Sequence, residues 1–161
     1  MSTIRELLDR IPARSVLSIS PFDTVYSAIA LMSENSVGAL LVMEGNKIVG
    51  IVTERDYACK IVLRNRPSGS TTVSEIMSSK VLYVTSVDTA EACMALMVLK
   101  QVGYLPVLDR GELLGLVSMG DLARAIVADH EILIGQLCNY IDGEKDLHIY
   151  PEQEPATERW T

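Results

Sequence analysis

Two short segments of the sequence place a hydroxyl and a carboxylate three residues apart, at predicted strand-to-helix junctions. One pairs Thr53 with Asp56, and the other pairs Ser118 with Asp121. The first turn of a helix presents free N–H groups and the positive end of the helix dipole, so it favours phosphate. A hydroxyl there can donate to a phosphate oxygen, and a carboxylate can accept both hydroxyls of a ribose. The same spacing forms a capping box that needs no ligand, so a nucleotide site and a purely structural cap both stay open.

A cluster of basic residues near the first pair supports an anion site. The 12 residues from Arg55 to Arg66 contain four cations and a single acid, Asp56, in a chain whose net charge is −7. A solvated helix face is the alternative explanation. In the second segment Gly120 stands where the first has Arg55, so two sites built on these segments should differ in affinity. The cluster comprises Arg55, Lys60, Arg64 and Arg66.

The sequence offers no recognisable catalytic constellation. Its two histidines, His130 and His148, lie outside both segments, and no Ser/His/Asp, Cys/His, P-loop or GxGxxG pattern occurs. Cysteines at positions 59, 93 and 138 form no CxxC pair, which favours buried free thiols over a zinc site or a disulfide framework. We therefore predict a protein that is not an enzyme and needs no metal, with a redox role for Cys59 or Cys138 as an alternative.

Composition and charge exclude several classes of protein. The chain has 161 residues, of which 48% are hydrophobic, so it can bury a core and is not disordered throughout. An acidic chain without basic stripes predicts no nucleic-acid partner. No apolar run approaches the roughly 18 residues of a membrane span, and charges at Arg5 and Glu6 argue against a secretory signal. These features predict a cytoplasmic protein without a membrane partner.

An internal repeat organises the chain. A shift of 65 residues places Val16–Val62 on Val81–Val127, with 17 identities in 47 positions. Each copy predicts the order β-α-β-β-α, with Ser20 and Asp23 or their counterparts near the start of the first helix. The predicted strands are 16–19, 39–43 and 47–52 in the first copy and 81–84, 104–108 and 112–117 in the second, and a second helix starts near Thr53 or Ser118.

Each copy is too small to be stable by itself, because it buries too little surface. We therefore predict that the two pack together as a pseudo-twofold pair. The predicted class is α/β, of the α+β type, with additional lead-in and C-terminal helices. Thr3 and Glu6 form a possible capping box for a lead-in helix over residues 2–11. The predicted units are a first repeat with its lead-in helix at 1–66, a linker at 67–72, a second repeat at 73–129, a C-terminal helix at 130–141, and an acidic mobile tail at 142–161.

These features resemble a tandem cystathionine-β-synthase (CBS) domain pair, or Bateman module. The resemblance rests on the repeated unit and on the segment from Gly50 to Asp56 that ends its sheet. Glu75-Ile76-Met77 and Leu105-Pro106-Val107 also fit the family pattern. The resemblance covers about residues 3–141. The chain is similar to small members of the family that consist of little beyond one such pair. The family implies binding of adenosine ligands in two clefts between the repeats.

Carried over to this chain, the resemblance implies specific site residues. Asp56 and Asp121 should bind ribose hydroxyls, while Thr53, Ser118 and Arg55 should meet phosphate. Tyr104 departs from the basic or histidine residues that family members often carry there. The first cleft would contain Thr53, Arg55 and Asp56, with Gly38 and Ala39 on its wall and an adenine pocket of Met77, Lys80, Val81 and Leu82. The second would contain Ser118, Asp121, Gly103 and Tyr104, with Ala13, Val16 and Leu17 around the base.

The resemblance thus implies a non-catalytic regulatory module that senses adenine nucleotides. AMP is the favoured ligand, with ATP, ADP or NAD as other candidates. Exposed helix faces of such pairs imply a flat homodimer, and a regulated protein partner would detect changes in its shape. The alternatives are a structural or protein-interaction module without ligand, an S-adenosylmethionine-binding module, and a redox-linked regulator.

Overall fold

Two copies of one arrangement of strands and helices follow each other in the chain. The computed structural model describes residues 1–11 and 16–131. The first copy contains β1 (Ser18–Ile19), α2 (Val25–Asn35), β2 (Ala39–Glu44), β3 (Lys47–Thr53) and α3 (Glu54–Tyr57), which continues as a π-helical turn (Ala58–Val62). The second contains α4 (Ala90–Lys100), β4 (Tyr104–Asp109), β5 (Glu112–Ser118) and α5 (Met119–Asp129). Helix α1 (Ile4–Arg10) precedes the first copy, and a 3-10 turn (Val73–Glu75) precedes the second.

The mixed α and β composition and the repeated order confirm the predicted fold class. The first strand is the least regular element, because β1 has two residues and its counterpart is a single parallel bridge between Val84 and Val107. In the first sheet β1 runs parallel to β2, which pairs antiparallel with β3. Strands β4 and β5 form the matching antiparallel pair. In both pairs the register shifts at matching positions, after Val42 and after Val107.

Helices α2 and α4 begin two residues beyond the Ser/Thr-x-x-Asp pairs expected to cap them. Their N-caps are Thr24 and Thr89, whose side chains accept hydrogen bonds from Ser27 N and Ala92 N. Asp23 instead accepts a hydrogen bond from Ser20 N and closes the turn before the helix. The carboxylate therefore shapes the approach to the helix, and the threonine satisfies its first turn.

The lead-in segment before the first copy packs against the second copy. A capping box joins Thr3 and Glu6 at the start of α1, as the sequence predicts. The N–H of Ile4 donates to Asp88 O at 2.8 Å, and the N–H of Ala90 donates to Ser2 O at 3.0 Å. These bonds fasten α1 to the start of α4.

The segment before the second copy packs in the same way against the first copy. The N–H of Val73 donates to Asp23 O, and the N–H of Val25 donates to Thr71 O, both at 2.8 Å. Each copy is therefore completed by the lead-in segment of the other, which ties the two copies into one compact unit, Met1–Asp129.

Two apolar cores reflect this crossing, because each contains residues from the opposite lead-in. Burial of Val73 and Ile76 completes the first core, and burial of Ile4 and Leu7 completes the second. The first also buries Ile19, Val25, Ala28, Met32, Leu40, Val42, Val52 and Ile61. The second also buries Val84, Ala90, Cys93, Met97, Leu105, Val107, Val117, Leu122 and Ala125.

Some sequence predictions fall on residues that the structure does not describe. The predicted tail at 142–161 lies outside the described residues, as does nearly all of the predicted helix at 130–141. The domain boundaries stay a prediction. Within the described residues, no helix is long and apolar enough to cross a membrane.

Candidate functional site

The first cavity lies between the end of the first sheet and the start of the second copy, and its volume is about 390 Å³. The junction of β3 and α3 forms one side, and the chain that follows the second lead-in forms another. The start of the second copy's sheet closes it. The lining residues are Gly38, Ile51, residues 53–56, Ser78, residues 80–82 and residues 101–104.

The carboxylate of Asp56 is held in a fixed orientation beside this cavity. Its Oδ2 accepts hydrogen bonds from Thr53 N at 3.0 Å and from Thr53 Oγ1 at 3.1 Å. Its Oδ1 lies 2.8 Å from Lys60 Nζ. An ionised carboxylate offers about four lone-pair sites, so these three contacts leave room for a further donor. The side chain is 13% exposed, which keeps one edge within reach of a ligand.

Two cations, Arg55 and Lys80, line the cavity and provide hydrogen-bond donors for an anion. Glu54 and Asp56 line it too, so the formal charges of the lining cancel. Another member of the basic cluster, Arg66, does not line the cavity and pairs with Glu75 at 2.7 Å. The cluster predicted from sequence is thus divided between the cavity, the cap of α3 and the lead-in segment.

Tyr104, at the start of β4, lines both the first cavity and a second one. Its hydroxyl packs against Gly38, where a Cβ atom would lie only 2.5 Å from the Tyr104 Oη. Position 38 therefore has to be glycine as long as the tyrosine ring occupies this space.

The second cavity is larger, about 930 Å³, and shares Tyr104 with the lining of the first cavity. Residues of α1 form part of it, whereas the 3-10 turn Val73–Glu75, which precedes the second copy as α1 precedes the first, does not line the first cavity. The lining residues are Arg5, Leu8, Asp9, Ile11, Val16, Leu17, residues 35–37, Ala39, Tyr104, residues 114–116, Ser118, Asp121 and Arg124.

The cap of α5 repeats the geometry of α3 with a different cation. Asp121 Oδ2 accepts hydrogen bonds from Ser118 N at 2.9 Å and Ser118 Oγ at 2.8 Å. Its Oδ1 pairs with Arg124, whose side chain is 74% exposed. The arginine of this pair sits in solvent, although the Asp121 side chain is only 17% exposed, so the pair adds little to stability.

Asp109 and Glu75, two carboxyl groups outside the cavities, have lowered pKa values. Hydrogen bonds from the Ser86 side chain and backbone, with Arg5 nearby, lower the pKa of Asp109. The hydrogen bonds of the Thr72 capping box, with Arg66 nearby, lower the pKa of Glu75. Both groups secure lead-in segments, and neither lines a cavity.

The structure brings most of the predicted site residues to the two cavities, with three differences. Gly103, expected in the second cleft, lines the first cavity, and Ala39, expected in the first, lines the second. Met77 lines neither cavity, because its side chain packs on Gly50. Ala13 lies outside the described residues. The remaining residues occupy the expected cavities: Thr53, Arg55, Asp56, Gly38, Lys80, Val81 and Leu82 the first, and Ser118, Asp121, Tyr104, Val16 and Leu17 the second.

Sequence reasoning did not assign several residues that line or adjoin these cavities. Gln101 lines the first cavity at the αL end of α4, and Arg5 lines the second from α1. Lys60 was recognised only as part of the basic cluster, although its spacing of four residues from Asp56 was a usable signal for an ion pair. Among the described residues, no group of three or more metal-ligating side chains occurs.

Comparison with known proteins identifies relatives of the whole repeated region. The family model for the CBS domain matches residues 4–62 and residues 73–128. The mitochondrial CBS domain-containing protein CBSX3 of Arabidopsis thaliana is 39% identical over 126 residues, which cover 75% of this chain and 61% of that protein. The chain thus spans less than two thirds of the length of this relative.

Solved structures share the same fold. A proposed signal-transduction protein with CBS domains from Burkholderia ambifaria MC40-6 is 47% identical with a TM-score of 0.77, covering 80% of this chain and 96% of that one. The CBS domain pair of protein MJ0100 is 20% identical with a TM-score of 0.69, covering 80% and 98%. That structure is a complex with 5′-methylthioadenosine and S-adenosyl-L-methionine.

Proposed function

The chain belongs to the CBS domain family, and we propose from this membership that it is a regulatory module which binds an adenine nucleotide in the first cavity. The observation that carries the proposal is the meeting of Asp56, Arg55 and Lys80 at one cavity. The carboxylate can accept ribose hydroxyls, and the two cations can bind phosphate. A volume of about 390 Å³ lies in the range of small-molecule sites.

The two cations of the cavity favour a nucleotide over S-adenosylmethionine. The ligands bound to the MJ0100 domain pair share an adenosine group, which supports the same chemistry for this chain. A nucleotide phosphate can bind Arg55 and Lys80, whereas S-adenosylmethionine has no phosphate. AMP is therefore the first candidate, followed by ADP, ATP and NAD.

The second cavity is the weaker site in this proposal. Its cations, Arg5 and Arg124, each pair with an aspartate, and Gly120 replaces the arginine that lines the first cavity. A nucleotide there would have to displace existing ion pairs, so we assign it lower affinity.

A protein-interaction module without ligand is the second candidate function. The completed capping boxes at Thr53 and Ser118 favour it, because both motifs are satisfied without any bound molecule. In that case the carboxylates stabilise the starts of α3 and α5 and do nothing more.

Assembly into a homodimer is part of the proposed function. Helix α4 exposes Val98 and Leu99, the latter by 76%, and α5 exposes Val127 near its end. A second molecule of the protein that covers these residues would remove their apolar surface from water. The nucleotide would act by favouring one arrangement of the two repeats over another. Its effect is limited by the difference between its affinities for those two arrangements. We expect a regulated protein to detect that arrangement, without any chemical step on the nucleotide.

Thermal unfolding with a panel of nucleotides distinguishes the two functions. A ligand at 100 times its dissociation constant stabilises the folded state by about 2.7 kcal/mol. For a chain of this size that raises the midpoint by about 5–10 °C. The sensor function predicts such a rise with AMP in the wild type and its loss in Asp56→Ala, with Asp121→Ala as the matched control. An unchanged midpoint with AMP, ADP, ATP and NAD would leave the interaction module.

A further inference from the structure

Lys60 makes two contacts that join the helix beside the first cavity to the second lead-in segment. Its Nζ lies 2.8 Å from Asp56 Oδ1, on the helix side. The same Nζ donates to the carbonyl of Ile76 at 2.7 Å, in the lead-in segment. Both bonds involve a charged donor, and such bonds are shorter and stronger than those between neutral groups.

The carbonyl of Ile76 belongs to the chain that forms the opposite wall. Ile76 is itself buried in the first core. Two residues later, Ser78 exchanges hydrogen bonds with Ile51 in both directions, at 2.9 and 3.0 Å. Ser78 and residues 80–82 then line the cavity. A single ammonium group therefore fixes both the carboxylate and the start of the wall that faces it.

A local distortion of the helix surrounds this lysine. The chain from Ala58 to Val62 forms a π-helical turn, in which Leu63 N donates to Ala58 O at 3.1 Å. Turns of this kind inside helices are rare and are frequently found at functional sites. The side chain of Lys60 is 37% exposed, so it lies half-buried between α3 and the lead-in segment.

The second copy lacks this connection. Its helix α5 continues as a regular α-helix from Met119 to Asp129, and Ala125 stands where the first copy has Lys60. Asp121 pairs instead with Arg124 on its own helix, at an exposed position. The two otherwise matching carboxylates therefore differ in whether they are tied to the facing wall.

We propose that Lys60 is a positioning residue that holds Asp56 and the lead-in wall in the arrangement that binds a nucleotide, and so makes the first cavity the high-affinity site. The proposal rests on the function proposed above. A site held in its binding arrangement before the ligand arrives spends less free energy on ordering, and its affinity is correspondingly higher. Lys60 acts through Asp56 and the wall and need not touch the ligand.

Isothermal titration of the full chain with AMP tests the role of Lys60. Lys60→Met should weaken AMP binding by roughly 10-fold or more, because hydrogen bonds to charged groups are lost at both ends. Lys60→Arg keeps the charge and can reach both acceptors, so it should recover most of the affinity. Lys47→Met removes an exposed lysine at the start of β3 that lines neither cavity, and should leave AMP binding within roughly 2-fold of wild type.

Hydrogen exchange adds a readout that loss of stability alone would not change. With AMP at saturating concentration for each protein, the amides of Ile51 and Ser78 should gain protection in the wild type and in Lys60→Arg. They should gain little in Lys60→Met, because the bond that links Asp56 to Ile76 is missing. Where Lys60→Met does not fold, Lys60→Gln, which keeps a donor without the charge, takes its place.

The outcomes separate this inference from the function on which it rests. Wild-type affinity in Lys60→Met, with or without lower thermal stability, would overturn the positioning role and leave the nucleotide site intact. Equal losses in Lys60→Met and Lys60→Arg would also overturn it, because the charge would then not matter. A wild type that binds none of AMP, ADP, ATP and NAD would instead reject the proposed function, and this inference with it.

Discussion

Replacing Gly50 with alanine tests the packing of the second lead-in segment on the first sheet. A Cβ atom at this position would lie 2.6 Å from Met77 Sδ and 3.0 Å from the carbonyl oxygen of Ser78. The Met77 side chain can move, but the Ser78 backbone is held by two hydrogen bonds to Ile51. The added methyl group therefore has to push the lead-in segment away from the sheet.

The expected cost follows from two opposing terms. Overpacking of this kind typically costs about 1–3 kcal/mol. Replacing glycine by alanine within a strand returns about 0.5–1 kcal/mol of that cost, because the unfolded chain loses freedom. The midpoints of these two ranges leave a loss of about 1 kcal/mol in the free energy of unfolding for Gly50→Ala.

Gly115 provides a matched control, because it is the counterpart of Gly50 in the second copy. A Cβ there would lie 3.0 Å from Leu8 Cδ2 and no closer than 3.7 Å to any other atom. The end of a leucine side chain can rotate away, so Gly115→Ala should change the free energy of unfolding by less than about 0.5 kcal/mol. Urea unfolding followed by circular dichroism measures both variants. Equal stability of the two variants, or a more stable Gly50→Ala, would refute the reasoning.

Three further predictions concern a close contact, the thiols and acid stability. Gly38→Ala, with its Cβ 2.5 Å from the Tyr104 hydroxyl, should cost about 1–3 kcal/mol, and Gly38→Ala/Tyr104→Phe should recover most of it in thermal unfolding; no recovery would contradict the contact. Burial raises the pKa of the Cys93 thiol to about 11, whereas Cys59 is exposed. Alkylation mapped by mass spectrometry at pH 8 should therefore be at least about tenfold slower at Cys93, and equal rates would contradict this. The lowered pKa of Asp109 means that its contribution to stability is present above its unfolded pKa of about 3.9 and is lost as the pH falls through the folded value. Asp109→Asn should flatten the acid limb of the plot of unfolding free energy against pH, and an unchanged limb would count against that role.

The elements of the fold could be predicted from sequence because the chain repeats its own pattern. The predicted strand 47–52 and the observed β3 (Lys47–Thr53) differ by one residue, and the helix capped by Thr53 begins where the motif indicates. The start of α2 was harder to place, since Ser20/Asp23 and Thr24 both have cap-forming side chains. The tertiary turn before the helix, and not the local sequence, decided between them.

The arrangement of the cavities depended on side-chain directions that the sequence does not show. Symmetry between the copies suggested equivalent roles for Ala39 and Tyr104. The Tyr104 hydroxyl instead reaches Gly38, and Tyr104 lines both cavities, whereas Ala39 lines only the second of the two. Met77 was expected against the adenine base, yet the absence of a side chain at Gly50 draws it onto the sheet. Contacts of this kind come from packing between distant segments, which spacing along the chain cannot reveal.

Isothermal titration calorimetry with AMP on the wild type, Asp56→Ala and Asp121→Ala tests the central claim most directly. The account predicts that the wild type binds AMP, that Asp56→Ala loses this binding while keeping its helix content, and that Asp121→Ala retains it. Wild-type binding by Asp56→Ala, or a wild type that binds none of AMP, ADP, ATP and NAD, would contradict the account and leave Asp56 as a helix cap.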